Sequence, residues 1–191
     1  WIGGLGIIFF TIAVLPVFGV GGVQLFAAEA TGPRHDKVHP RISVTAKWIW
    51  SIYLGLTVVC AFLFSLGGMS VFDSICHSMA TTATGGFSTR NASIAAFDSA
   101  YIEYVTIFFM FLSGINFTLL FLAFFKGRVG KLFSDTEFHW YASIVGVFTL
   151  VIALGLVIVR GGQIEESFRE ALFQVVSVQT TTGFVSADYM L

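Results

Sequence analysis

Two short stretches decide how this sequence is interpreted: Thr81-Thr82-Ala83-Thr84-Gly85-Gly86-Phe87 and Thr180-Thr181-Thr182-Gly183-Phe184. Both are uncharged, both follow a short segment of helical character, and both contain glycine, which lets the backbone turn or approach a small ligand closely. Backbone carbonyls exposed in this way can replace the hydration shell of a monovalent cation, as in potassium filters of the Thr-Val-Gly-Tyr-Gly type. One such cluster would indicate an ordinary turn, but two in matching contexts predict a pair of ion-selectivity filter loops.

The composition is that of an integral membrane protein. Hydrophobic residues make up 56% of the chain and charged residues 11%, whereas about 25% of the residues of a soluble domain are charged. Cys60 and Cys76 have no metal-ligand spacing and are too few for a disulfide framework, so we expect small buried side chains. The chain opens on Trp1 without the features of a signal peptide and ends soon after the second stretch, so we expect a piece of a longer protein.

Four uncharged apolar segments are long enough to cross a hydrocarbon core, which takes about 20 residues. Between them lie polar loops and two segments of roughly 10–14 residues that are too short to cross. The sequence therefore predicts this order: a span in 1–28, a loop at 29–47, a repeat at 48–125 (span 48–66, pore helix 70–81, filter 82–88, span 104–125), a loop at 126–139, and an incomplete repeat at 140–191 (span 140–159, pore helix 165–178, filter 179–185).

The two short helices are predicted to end at the filters. Ser70 and Asp73 form a capping-box pattern at the start of the first helix, and Glu165-Glu166 opens the second. Gly67-Gly68 and Gly161-Gly162 break the chain before them. Because a helix carries roughly half a negative elementary charge at its C-terminus, both helices favour a cation at the filter.

These elements form an internal repeat in which Phe87 and Phe184 stand 97 residues apart. Anchoring the alignment on these two residues, and on Phe72 with Phe168, pairs residues 83–86 with residues 180–183. A rival register pairs Thr84-Gly85 with Thr182-Gly183 but breaks the phenylalanine match.

The basic residues predict the orientation. Seven of the ten Lys and Arg residues lie in the loops 29–47 and 126–139, so the positive-inside rule makes those loops cytoplasmic and opens both filters outward. The outer segments carry acidic residues that either attract cations or cap helices. The seven basic residues are Arg34, Lys37, Arg41, Lys47, Lys126, Arg128 and Lys131.

An ordered set of motifs resembles a known family, the pore-forming subunits of bacterial Trk-type potassium uptake systems in the Trk/Ktr/HKT superfamily. The resemblance covers essentially the whole chain. The motifs are Trp1-Ile2-Gly3-Gly4-Leu5-Gly6, Val23-Gln24-Leu25-Phe26 followed by Glu29 and Gly32-Pro33, Ala83-Thr84-Gly85-Gly86-Phe87-Ser88-Thr89, and Thr180-Thr181-Thr182-Gly183-Phe184.

The resemblance implies an all-α membrane protein of four span–re-entrant pore loop–span repeats around one pore, similar to potassium-channel subunits, with about two repeats present here. It implies potassium transport in a bacterial inner membrane by a multi-pass homodimer with a cytoplasmic nucleotide-binding regulatory subunit. No covalent cofactor and no nucleic-acid partner are expected. The filter backbone would comprise Ala83, Thr84, Gly85, Gly86, Phe87, Thr180, Thr181, Thr182, Gly183 and Phe184, with potassium bound at Thr84, Gly85, Gly86, Thr181, Thr182 and Gly183.

Several alternatives stay open. Glycine at positions 86 and 183 is associated with potassium in that family, but the other two filters are not in this sequence, so a sodium-permeable or ion-coupled relative remains an alternative. A proton-coupled transporter would place ionisable groups inside its spans, and an enzyme would need a nucleophile–base or metal motif; this sequence shows neither. A purely structural membrane protein would not need polar loops at membrane depth. His77 and Asn116 are interpreted as structural, the latter as a helix–helix hydrogen-bonding residue.

Overall fold

The computed structural model describes residues 1, 42–124, 127, 129–160 and 163–187. Within these residues the regular structure is helical. The predicted span at 2–28, most of the loop before residue 42, Lys126, Arg128 and Gly161-Gly162 lie outside the described residues. The helices are α1 Ile42–Leu66, α2 Val71–Thr82, α3 Ala100–Ser113, α4 Phe117–Phe124, α5 Val129–Ser134, α6 Thr136–Arg160 and α7 Ile164–Gln179, with a 3-10 helix at Ser93–Phe97.

Two long apolar helices, α1 and α6, are each followed by a shorter helix. Trp48–Leu66 of α1 and Thr136–Val159 of α6 are long and apolar enough to cross a membrane, and α3 with α4 make a third crossing if that broken pair is one span. In contrast, α2 has 12 residues and α7 has 16, which at 1.5 Å per residue rise only about 18 Å and about 24 Å. Neither reaches across a core of ~30 Å. The all-helical repeat architecture expected from the sequence is therefore confirmed.

The third predicted span, 104–125, is not one continuous helix. It begins earlier, at Ala100, and is interrupted between Ser113 and Phe117. Asn116, interpreted above as a residue bonding between helices, instead caps α4: its Oδ1 accepts from the Thr118 amide at 2.9 Å. A short amide side chain that bonds its own backbone competes with helix continuation, so it starts a new helix here.

Two predicted loops are partly helical. The segment 126–139 contains α5 and the start of α6, because Asp135 Oδ1 accepts from the amides of Glu137 and Phe138 at 2.9 and 3.3 Å and so caps α6. The loop 29–47 likewise ends at Ile42, where α1 begins. Hydropathy marks where a helix becomes apolar, whereas capping decides where it begins.

The predicted break after α1 is a glycine C-cap. Gly68 has φ 92°, and the amides of Gly68 and Met69 donate to the carbonyls of Ser65 and Phe64, both at 3.2 Å. This pair of bonds is the Schellman motif that ends many helices. The Ser70 hydroxyl then accepts from the Asp73 amide at 3.1 Å and caps α2, as the capping-box pattern predicts.

The described chain divides into two compact units. The first contains the residues up to Leu56 together with Ile115–His139, and the second contains Thr57–Gly114 together with the residues from Trp140 onward. In the first unit, Tyr53 stacks on Trp1 with ring centroids 4.9 Å apart and donates its hydroxyl to the Trp1 carbonyl at 2.9 Å. Both short helices and both Thr/Gly loops belong to the second unit.

The interior of the second unit is partly polar. Alongside Phe64, Met110 and Phe173, it buries side chains of α2, α7 and the loops: Asp73, Ser74, His77, Ser78, Thr81, Thr82, Ser177, Thr180 and Thr182. Helix α3 packs against both α2 and α7. Because buried polar groups are costly unless they are hydrogen-bonded, the bonds made by these side chains determine how the loops are held.

Candidate cation-binding loops

The first loop begins where α2 ends in a left-handed turn at Thr84, whose φ is 50°. The Thr84 amide donates to the Thr81 carbonyl at 3.1 Å, and the Gly85 amide donates to the Ala80 carbonyl at 2.8 Å. This is again the Schellman motif, but with threonine at the position that glycine usually occupies. A left-handed conformation costs a residue with a Cβ roughly 1–2 kcal/mol, and such strain is concentrated at functional sites.

The second loop repeats this geometry at the end of α7. Thr181 has φ 57°, its amide donates to the Val178 carbonyl at 3.0 Å, and the Thr182 amide donates to the Ser177 carbonyl at 2.9 Å. Each of these atoms belongs to a residue that lies 97 positions after its counterpart in the first loop. The two loops therefore share one backbone conformation, including the strained threonine.

The register of the repeat follows from this match. Gly86 and Gly183, with φ 66° and 82°, each lie two residues after the left-handed threonine. The rival register is wrong, because it pairs Thr84 with Thr182, and among the described non-glycine residues of the second loop only Thr181 has a positive φ. The phenylalanine pair at 72 and 168 is out of step with this register by one residue.

The orientation of the peptide groups suits a cation. The amides of residues 83–85 and 180–183 donate back into α2 and α7. Because a trans peptide places its carbonyl opposite its N–H, the carbonyls of residues 82–84 and 179–182 point away from the helix ends. Those ends carry partial negative charge, and neither helix has a basic residue in its last turn. The loops thus present backbone oxygens in a region of negative potential.

Four of the six threonine hydroxyls in the two loops are bonded within the protein. Thr81, Thr82 and Thr180 donate theirs to helix carbonyls four residues earlier, at 2.6, 2.8 and 2.7 Å. The Thr182 hydroxyl lies 2.8 Å from that of Thr180. These four hydroxyls are therefore engaged within the protein, which leaves the backbone oxygens and the hydroxyls of Thr84 and Thr181 for a ligand.

The two loops meet at Gly86. A Cβ added to Gly86 would overlap the carbonyl oxygen of Thr182 and lie 2.9 Å from its carbonyl carbon. At Gly183 a Cβ would meet nothing within 4 Å, so only its positive φ favours glycine. At Gly85 the nearest atom would be Phe87 Cδ2 at 3.6 Å, and φ lies outside the left-handed region. Glycine is therefore favoured for a different physical reason at each of the three positions, and the reason is weakest at Gly85.

The phenylalanines that follow the two glycines differ in their environment. Phe87 is 83% exposed and Phe184 is fully buried. The Ser177 hydroxyl donates to the Phe184 carbonyl at 2.8 Å, so that carbonyl is already engaged. Ten residues are predicted from the sequence to form the filters. Among them, residues 83–86 share their backbone conformation with residues 180–183, whereas the two phenylalanines differ in burial.

A polar network behind the first loop was not anticipated from the sequence. Asp73 accepts from Thr89, Arg90 and Ser70 at 2.6, 2.8 and 2.9 Å. The hydrogen bonds from Thr89, Arg90 and Ser70 lower the pKa of Asp73 to about 2. His77 is fully buried with both ring nitrogens hydrogen-bonded, and burial lowers its pKa, so it is neutral at pH 7. Its structural interpretation agrees with these contacts.

The acidic residues do not form a uniform outer surface. Asp73 is 4% exposed and paired with Arg90, and Glu103 forms an ion pair with Arg169 at 3.4 Å in which both side chains are largely buried. These two carboxylates therefore hold the structure together instead of attracting ions from solution. Asp73 and Arg90 lie in the same predicted repeat, whereas Glu103 and Arg169 lie in different ones, so no common spacing in the sequence would indicate these pairs.

Taken together, long apolar helices, short helices that do not cross, and matching Thr/Gly loops at their C-terminal ends define a membrane protein of the pore-loop class. The comparisons with known proteins agree. Residues 1–190 match the family model described as TrkH, cation transport protein, so the chain belongs to the TrkH family of cation transport proteins, and the resemblance stated from the sequence is confirmed.

Relatives and a solved structure show the same likeness over the whole chain. The Trk system potassium uptake protein TrkH of Vibrio parahaemolyticus is 46% identical over 193 residues, which cover 99% of this chain and 40% of that protein. The protein of the same description from Escherichia coli K12 is 44% identical over 97% of this chain and 39% of that protein. The crystal structure of the potassium transporter TrkH from Vibrio parahaemolyticus has a TM-score of 0.77 at 42% identity, covering 98% of this chain and 37% of that chain. The chain thus spans about 40% of the length of these relatives.

Proposed function

We propose that this chain forms part of a potassium-conducting pathway across a bacterial inner membrane, and that it works as a transporter and not as an enzyme. The observation that carries the proposal is the pair of loops with the same strained backbone, each at the negative end of a short helix. The carbonyls of Thr84, Gly85 and Gly86, and those of Thr181, Thr182 and Gly183, are the proposed potassium ligands.

The choice of potassium is supported by the relatives, which are named potassium uptake proteins. Carbonyl oxygens select a cation by replacing its hydration shell, with cavity size and the number and field of the dipoles as the determinants. Four loops around one axis would complete such a cage, and this chain supplies two of them. The sodium-permeable alternative has no observation in its favour.

The proposal can be tested by ion flux into liposomes. The protein, expressed from its full coding sequence and reconstituted, should take up radioactive rubidium, a potassium substitute, and excess potassium should compete better than excess sodium. Gly183→Ser should weaken this preference, because serine at φ 82° strains the loop. The matched control is Gly155→Ser in α6, where an added Cβ meets nothing within 4 Å. No flux above empty liposomes, or equal competition by sodium, would refute the proposal.

The resemblance also supports two partners: a second copy of the protein and a soluble nucleotide-binding subunit at the cytoplasmic loops. Attraction of the loops to anionic lipid is the plain alternative, at about 1 kcal/mol per basic residue. Charge reversal at Arg34, Lys37 and Arg41 should abolish recovery of the soluble subunit in detergent while leaving the dimer intact. Unchanged recovery would count against docking at this loop.

A further inference from the structure

The segment that follows the first loop is held from behind by α2. Asp73 accepts from Thr89 Oγ1 at 2.6 Å and from Arg90 Nη2 at 2.8 Å. One helical turn further along, His77 Nε2 lies 2.8 Å from the Ser88 hydroxyl, which also accepts from the Arg90 amide at 3.0 Å. Three consecutive residues after the filter glycine and phenylalanine are thus tied to one face of the helix that leads into the loop.

The same segment is also bonded to the second loop. The Ala95 amide donates to the Val185 carbonyl at 3.1 Å, and the Val185 amide donates to the Ser93 hydroxyl at 3.2 Å. Val185 directly follows Phe184. Both backbone groups of Val185 are therefore engaged by residues that follow the first loop.

His77 of α2 contacts residues near both loops. Its Nδ1 lies 2.8 Å from the Asp73 carbonyl, and its ring packs edge-on against Phe97 at 5.2 Å between centroids. The ring of Phe184 lies 6.1 Å away on a tilted plane. Since His77 is fully buried, it cannot change rotamer without disturbing one of these neighbours. The Arg90 guanidinium also lies over the Phe97 ring, 5.9 Å from its centroid.

The second repeat has a carboxylate, Glu170, at the position of Asp73, but it lacks the histidine and the arginine. In the register of 97, the positions that correspond to His77 and Arg90 hold Gln174 and Ala187. The second loop is instead held by Ser177 and by the segment from the first repeat. The segment held by Asp73 and His77 is therefore also bonded to the residue that follows Phe184.

We propose that Asp73, His77 and Arg90 are positioning residues that set cation selectivity by holding Ser88–Phe97 as a shared brace behind the two loops. The inference rests on the proposed function and deepens it. Selection by carbonyls needs the oxygens held to within about 0.5 Å, and Gly86 already contacts the Thr182 carbonyl with no spare room. Movement of Ser88–Phe97 would shift both loops at once. The strained backbone of Thr84 or Thr181, in contrast, affects only the loop that contains it.

The experiment compares variants by their potassium-over-sodium preference in rubidium flux into liposomes, together with the amount of protein inserted and its melting temperature. Asp73→Asn and Arg90→Gln are each expected to reduce the preference by about three- to tenfold. The double variant should lose little more than either single variant, because both remove the same interaction. Arg90→Lys, which keeps the charge, should restore part of the preference.

Ser74→Ala is the matched control. Ser74 is buried beside Asp73 on the same helix, but its hydroxyl makes no hydrogen bond within the described residues. Its loss should leave the preference unchanged. If Asp73→Asn does not insert, the Arg90 variants decide, since the Arg90 side chain is 53% exposed and its loss leaves the core intact.

Reduced melting temperature with an unchanged preference in the Arg90 and Asp73 variants would show a purely structural role and overturn the inference. An equal loss of preference in Ser74→Ala would overturn it as well. Failure of the proposed function itself is distinct, because the unmodified protein would then show no potassium-selective flux.

Discussion

Replacing Gly86 by alanine tests the geometry of the loops most directly. The added Cβ would lie 2.9 Å from the Thr182 carbonyl carbon and overlap its oxygen, whereas ordinary contacts begin at 3.4 Å. The two loops must therefore separate by about 0.5 Å or more, which is the tolerance within which a binding constellation works. The positive φ adds a cost of roughly 1–2 kcal/mol, and 1.4 kcal/mol corresponds to about a factor of ten.

The neighbouring glycines provide a graded series. The Gly183→Ala variant has only the cost of placing a Cβ at a positive φ, so its potassium-over-sodium preference should fall by about three- to tenfold. The preference of the Gly86→Ala variant should fall by more than about tenfold. Gly85→Ala should change it by less than about twofold, because φ is ordinary there and the equivalent residue of the second loop is already Thr182.

The assay is uptake of radioactive rubidium, with potassium or sodium as competitor, in a potassium-uptake-deficient bacterium that expresses the full coding sequence, normalised to the protein in the membrane. Gly67 is not a neutral control, because a Cβ there would lie 2.8 Å from the Tyr101 ring. If Gly85→Ala were as damaging as Gly86→Ala, the steric reasoning would be refuted.

Three further outcomes are expected. Thr84→Gly should retain uptake within about threefold, because glycine accepts the left-handed conformation, whereas Thr84→Pro should abolish it, because proline fixes φ near −65°; equal effects in the uptake assay would contradict the observed turn. Because the pKa of Asp73 is lowered to about 2, its stabilising contribution is present above the unfolded value near 4 and is lost only as pH falls toward 2. The melting-temperature difference between the unmodified protein and Asp73→Asn should therefore stay constant from pH 5 to 8, and a difference that vanished at pH 5 would show that the pKa of Asp73 is raised instead of lowered. Cysteines introduced at residue 36 or 128 should react with an impermeant label only from the cytoplasmic side, and labelling from outside would reverse the topology.

Local information in the sequence was enough for the architecture. Uninterrupted apolar length predicted a span at 48–66, and Trp48–Leu66 is a helix long and apolar enough to cross a membrane. The Ser70 cap located the start of α2. The spacing of the Gly-Phe pairs fixed the correct register of the loops. The span and the helix start depend on residues within about one helix of each other, so hydropathy and capping report them reliably. The register depends on a Gly-Phe pair that the sequence repeats after 97 residues.

The finer details of the site depended on contacts between distant parts of the chain. Threonine is disfavoured in a left-handed turn, so no local rule would place that turn at Thr84 and Thr181. Gly86 is sterically required because it meets the backbone of Thr182, and Asp73 is an ion-paired residue because Arg90 returns to it from beyond the loop. Such pairings are set by how the helices pack, and side chains far apart in the sequence carry no signal of which backbone they will meet.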